Sequence, residues 1–136
     1  MLYLPTRFVS LLTAVLLVTC SQAVASDLPP MVTSYAEKPV QGFNRQVEAA
    51  SKQDKKWVRQ AESISQHYAG SQFKLVRTVP HGNVSVSYLT RIDQHHHKQI
   101  LMILMLEQSG KHWRLNKAMV SWQCKKGQHF STDPCH

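Results

Sequence analysis

Gln99-Ile-Leu-Met-Ile-Leu-Met-Leu-Glu107 is the stretch that decides how this chain folds. Seven apolar residues, 100–106, run unbroken between two polar ones. A membrane-crossing helix needs about 20 apolar residues, so this run cannot span a bilayer. A short apolar run bounded by polar and turn residues reads instead as a strand buried on both faces. His95-His96-His97 precedes it and Ser109-Gly110 follows. The rest of the chain reads as cover for that strand.

Strand patterns lie on both sides of it. Phe73-Lys-Leu-Val-Arg-Thr-Val79 gives a strand signal and ends in the turn sequence Pro80-His-Gly-Asn83. Val84, Val86, Tyr88 and Ile92 follow at even spacing, with serines, Arg91 and Asp93 between them, which is the pattern of a half-buried strand. This spacing predicts that the valine and tyrosine row faces the core. After the central strand and a tight turn at residues 108–111, a fourth strand runs from His112 to Cys124. Its apolar residues change phase, with Trp113 and Leu115 first and then Ala118, Val120 and Trp122. A two-residue period cannot slip without an inserted residue, so a bulge is expected near Asn116-Lys117.

Upstream, Phe43, Val47, Ala50, Trp57, Ala61, Ile64 and Tyr68 recur on one stripe of a 3.6-residue helix. Lys52, Lys55, Lys56 and Arg59 lie largely off that stripe. Asn44 is placed to cap its start and Gly70 to follow its end. Asp54 interrupts the stripe, and Ser51-x-x-Asp54 reads as a capping box. Two helices are therefore expected, about 44–50 and 52–69, with Ser51 capping the second. The sharper alternative is a buried functional carboxylate at Asp54, which is rare without a partner.

The expected fold is α+β: an N-terminal helix, broken near Ser51, packed on a four-stranded antiparallel meander. That element order resembles the cystatin-like and NTF2-like folds, in which a helix packs in a curved sheet. The resemblance covers architecture, rests on no shared motif and so implies no function. A short strand at residues 31–35 would bring the order nearer to the cystatin-like one.

The chain has 136 residues, enough for one domain. Arg7 precedes an apolar run at residues 8–18, and Ala23-Val24-Ala25 supplies the small residues of a cleavage site. This reads as a secretory signal over residues 1–25, removed after Ala25. A lipoprotein attached through Cys20, in Leu17-Val18-Thr19-Cys20, is the alternative, although threonine before the cysteine fits poorly. Residues 26–43, with Pro29-Pro30, Pro39 and Gly42, then form an extended lead-in, and residues 44–136 form the domain. Periplasmic or secreted placement leaves Cys124 and Cys135 as an even pair in an oxidising compartment, so a disulfide between them is expected. It would hold a polar tail at residues 125–136.

The formal charge is +8, and processing would remove only Arg7 from it. Such a balance favours anionic partners: lipid head groups, cell-wall polymers or nucleic acid. Export argues against intracellular nucleic acid. There is no Gly-x-Ser-x-Gly elbow, no Walker loop and no Gly-rich dinucleotide fingerprint. Acidic residues are scattered singly, so paired carboxylates cannot be placed. Following the meander, His95, His96, His97, His129, His136 and His67 fall at one end of the sheet, and His81 and His112 at the other. His95 and His97 point the same way in an extended chain, and with His129 they could hold zinc or copper.

Three functions remain. The first is a small exported, non-enzymatic binding or accessory protein acting on an envelope protein or an anionic polymer or lipid surface. Its contact surface would be an apolar strip on the outer sheet face, with Leu89 and Met119 flanked by Arg91, Arg114 and Lys117, and it could also pair two copies of the chain as a homodimer. The second is a histidine-based metal-binding accessory protein. The third is a small NTF2-like pocket enzyme using Asp54 and a histidine.

Overall fold

A computed structural model of the protein describes residues 29–136. The expected signal segment at residues 1–25, the expected cleavage after Ala25, and Cys20 lie outside the described residues. The elements are β1 (Ala36–Lys38), α1 (Gln41–Lys52), a short 3-10 helix (Lys56–Arg59), α2 (Ala61–Ala69), β2 (Lys74–His81), β3 (Val84–Ile92), β4 (His97–Ser109) and β5 (His112–Cys124). The five strands form one antiparallel sheet in the order β1-β5-β4-β3-β2, with the helices on one face. The architecture is α+β. The meander of four strands is extended by β1, which comes from the lead-in and pairs Ala36 with Val120 at the β5 edge. Residues 31–35 are not that strand, since only Val32 forms an isolated bridge there, with Phe130.

The helical region breaks later than the sequence pattern suggests. α1 begins at Gln41, so Asn44 lies inside it rather than capping it. The Asn44 side chain reaches the sheet instead. Its Nδ2 donates to the Leu115 carbonyl at 2.7 Å, and the Leu115 N–H donates to its Oδ1 at 3.0 Å. Ser51 likewise belongs to α1 and caps nothing; its hydroxyl meets His112 Nδ1 at 3.0 Å. The break falls at residues 53–55, where Asp54 takes the left-handed region (φ 56°) that aspartate tolerates better than most side chains. Asp54 is exposed and bonded to Arg59, which holds its carboxyl below the usual range. It is not a buried carboxylate. Gly70 ends α2 at φ 85°, with its N–H on the Gln66 carbonyl, as expected of a glycine past a helix end.

The core lies between the helices and the sheet. Val47, Val58, Ala61 and Ile64 meet Leu89 of β3, Met102, Leu104 and Leu106 of β4, and Leu115 and Ala118 of β5. Each large side chain so buried contributes about 1.5–3 kcal/mol. β5 supplies its row without interruption because Met105 pairs with Lys117 and Leu106 with Leu115, leaving Asn116 as an extra residue. The expected bulge is therefore present, and Asn44 satisfies the backbone of Leu115 beside it.

β3 sits in the opposite phase to the one predicted. Ser85, Ser87 and Leu89 are buried on the helix side, while Val84, Val86, Tyr88 and Ile92 turn to the outer face. The hydroxyls of Thr78, Ser87 and Ser65 form a chain ending on the Ala61 carbonyl, with steps of 3.0, 2.8 and 2.7 Å. Ser85 Oγ donates to the Val79 carbonyl at 3.4 Å. Serines in this row let α2 lie close to the sheet, and their hydroxyls are hydrogen-bonded, so their burial is tolerated.

The tail is fastened to the last strand. Cys124 and Cys135 are disulfide-bonded, with Cα atoms 5.4 Å apart. Ser131 exchanges two backbone hydrogen bonds with Trp122, and the Trp122 indole donates to the Asp133 carbonyl at 2.8 Å. Among the described residues, no helix is long and apolar enough to cross a membrane.

Candidate functional site

The outer face of the sheet follows from strand alternation. β3 presents Val84, Val86, Tyr88, Thr90 and Ile92; opposite them β4 presents Glu107, Met105, Ile103, Leu101 and Gln99. Beyond these, Lys117, Met119, Ser121 and Gln123 of β5 carry the face to the edge. Both rows of β4 are apolar, so this strand makes the outer face apolar whichever way it is turned.

That face divides into two halves. On the β5 half, Leu101 is 1% and Met119 8% exposed, although neither belongs to the helix-side core. The chain ends lie against this half. Ser121 Oγ donates to the Ser34 carbonyl at 2.9 Å, Lys117 stands 5.6 Å from the Tyr35 ring, and the buried Phe130 exchanges backbone hydrogen bonds with Met31 and Thr33 of the lead-in. On the β3 half, Val84, Val86, Tyr88, Ile103 and Met105 remain half-buried, and Val76 and Ile92 are 59% and 78% exposed. Cations rim it. Arg77 lies over the Tyr88 ring at 5.0 Å, Lys74 is exposed, and Arg114 and Lys117 hold Glu107 and Glu37 at 2.7 and 2.6 Å.

The free edge beside this half is β2. It carries a bulge at Val76, between Leu75 and Arg77, and Pro80, which has no N–H to donate. Both features blunt an edge against strand addition. A partner of this region would therefore meet the face rather than extend the sheet.

The expected contact residues are only partly brought together. Leu89 is 0% exposed and packs in the helix-side core, because β3 has the reverse phase. Arg91 follows Leu89 onto that side, pairing with Ile100, with its guanidinium over Phe73 at 5.3 Å. Met119 is on the outer face but covered. Arg114 and Lys117 flank the face as expected, each engaged with a carboxylate. The row that forms the bare strip, Val84, Val86 and Tyr88, is legible in the sequence as an apolar row, but it lies on the outer face and not on the core side that its spacing predicts.

The histidines separate into two places. His97 pairs with Cys124 across β4 and β5, so His95, His96 and the tail share one end of the sheet. There His97 Nδ1 lies 2.6 Å from Asp93 Oδ2, and the His95 N–H donates to Oδ1 at 3.1 Å. These two bonds, the His97 one foremost, pull the Asp93 carboxyl down to about 2. His95 and His129 are exposed. Among the described residues, no group of three or more His, Cys, Asp or Glu side chains is arranged to hold a metal, so His95, His97 and His129 do not form a three-ligand set. At the other end His112 bridges α1 and the β4–β5 turn. Its Nδ1 meets Ser51, and its Nε2 lies 3.7 Å from Glu48, beside an open groove of about 440 Å³ lined also by Asn44, Arg45 and Arg114. The ring is largely buried and ties helix to hairpin. Sequence reasoning missed this clamp because His112 lies 61 residues beyond Ser51, and Ser51 reads locally as a helix cap.

The chain matches no protein-family model, no curated protein and no solved structure.

Proposed function

We propose that this chain is a small, non-enzymatic, exported binding protein that docks through the bare half of its outer sheet face onto an acidic partner. The partner is an envelope protein or an anionic polymer or lipid surface. The observation that carries this reading is the strip of Val84, Val86, Tyr88, Ile103 and Met105, left half-exposed under a cationic rim. Contiguous apolar surface rimmed by polar groups marks contact sites, and the formal charge of +8 favours acidic ones. The signal-like residues 1–25 and the Cys124–Cys135 bond accord with an oxidising compartment. The likeness of its element order to cystatin-like and NTF2-like folds adds nothing about function. A zinc or copper site has no comparable observation behind it. Nor has a pocket enzyme built on Asp54, which is exposed and holds Arg59.

A photo-crosslinking residue at Val86, compared with one at the exposed Ala49 of α1, tests the reading in envelope extracts. An adduct with an acidic protein at Val86 alone, or retention on anionic polymer or phosphatidylglycerol vesicles that Val86→Asp abolishes, is the expected result. Equal labelling at both positions, with no retention, would overturn it. A Val86 adduct between two copies in purified protein identifies the second copy as the occupant instead.

A further inference from the structure

At the β3–β4 end of the sheet an open groove of about 930 Å³ runs between the α2–β2 loop and the β3–β4 turn. Its lining includes Gln72, Lys74, Arg91, Gln94 and His95. Arg91 is the residue that asks for an explanation. One Nη donates to Gln72 Oε1 at 2.9 Å, and the guanidinium rests over the Phe73 ring. Its Nε is shut off from solvent and bonds nothing. Buried side-chain donors are seldom left unpaired unless a ligand, ion or water takes them.

No carboxylate among the described residues pairs with Arg91. The one acid in the groove lining is Asp93, and both its oxygens are engaged, by His97 and by the His95 N–H. The acid nearest to hand is thus committed to the turn. Arg91 and Lys74 bring two positive charges to the hollow, and its single carboxylate, Asp93, is bonded to His97 and the His95 N–H rather than to either of them. A planar guanidinium with free donors suits the oxygens of a carboxylate or phosphate group, and the glutamines beside it can donate as well.

We infer that this groove binds an oxyanion, a phosphate or carboxylate group, with Arg91 as its principal donor and Lys74 beside it. The site adjoins the docking strip, sharing Lys74 and Ile92 with its margin, but it is centred on Arg91, which lies on the helix side of β3. It lies at the strand ends, and a small anion could fill it with no macromolecular partner present.

The test follows the side-chain N–H resonance of Arg91 and the backbone amides of Gln72, Gln94 and His95 during titrations of the disulfide-bonded protein. The probes are inorganic phosphate, acetate, and vesicles of phosphatidylglycerol or phosphatidylcholine. Saturable shifts with phosphate or acetate support a site for a free anion. Shifts with phosphatidylglycerol vesicles alone support a site for an anionic head group. In either case Arg91→Gln should weaken binding by about tenfold or more, the loss of one charge-assisted contact. Lys74→Gln, at an exposed position where folding is not at risk, should weaken it about threefold. No saturable shift with any probe would overturn the inference. So would binding left unchanged by Lys74→Gln and by Arg91→Gln. Because the read-out is at the groove and not at Val86, the docking strip can fail its own test while this site passes.

Discussion

The two faces of the sheet are both rich in aliphatic side chains, yet they end in opposite states. On the helix side Ile64, Leu104, Leu106 and Leu115 are sealed, and the hydroxyls of Ser65, Ser87 and Thr78 bond to one another. On the outer side the chain ends cover the β5 half, while Val84, Val86 and Tyr88 stay half-open on the β3 half. Hydrophobicity alone does not choose which face a helix covers. α2 lies on the serine row because small side chains let it approach, whereas two valines and a tyrosine would hold it off. The apolar row so displaced becomes surface, and under the proposed function that is the surface a partner meets.

The largest expected effects sharpen the contrast directly. Leu104→Ala should cost about 2–5 kcal/mol, since it empties a fully buried position. Its neighbour on the opposite face, Ile103→Ala, should cost about 1 kcal/mol. Urea unfolding of both variants decides this, and equal losses would mean that the outer face is as closed as the inner one. Removing the disulfide by Cys124→Ser with Cys135→Ser should cost about 3 kcal/mol on the chain-entropy account. It should also bare the β5 half, seen as faster amide exchange at Leu101 and Met119 than at Leu104.

Smaller changes probe how the inner face is held. Asn44→Ala should cost about 1–3 kcal/mol, because it strands the Leu115 backbone groups beside the bulge. Thermal or urea unfolding with the m-value unchanged is the check. Ser87→Val should cost about 1–3 kcal/mol by overfilling the space under α2. The reciprocal Val86→Ser should change stability by less than about 1 kcal/mol while reducing docking. A stabilised Ser87→Val protein would show that the serine row does not set the distance of α2 from the sheet.

The smallest expected effect concerns acid. The Asp93 carboxyl titrates near 2 in the folded chain, against about 3.9 in an unfolded one. Its contribution to holding the β3–β4 turn is therefore complete above about pH 4 and disappears as pH falls through about 2. Carbon NMR of the carboxyl should place the midpoint near 2 in the parent, and His97→Leu should move it towards about 3.9. An unmoved midpoint would assign the shift to the backbone bonds instead.

By itself the sequence determined the parts whose signal is local. The four meander strands, the bulge forced by the change of phase after Leu115, Gly70 past the helix end and the cysteine pair could all be read from neighbouring residues. Period, turn chemistry and parity act over a few positions, so they survive without knowledge of the fold. Tertiary structure alone decided the rest. Alternation shows that β3 has two rows but not which row meets a helix, and β4, apolar in both, gave no vote. Residues 36–38 are too short to declare themselves a strand until β5 offers an edge. Asn44 and Ser51 look like caps because their local chemistry suits capping, yet partners distant in sequence, Leu115 and His112, claim their side chains. In each case the deciding energy comes from groups tens of residues away, which no local window contains.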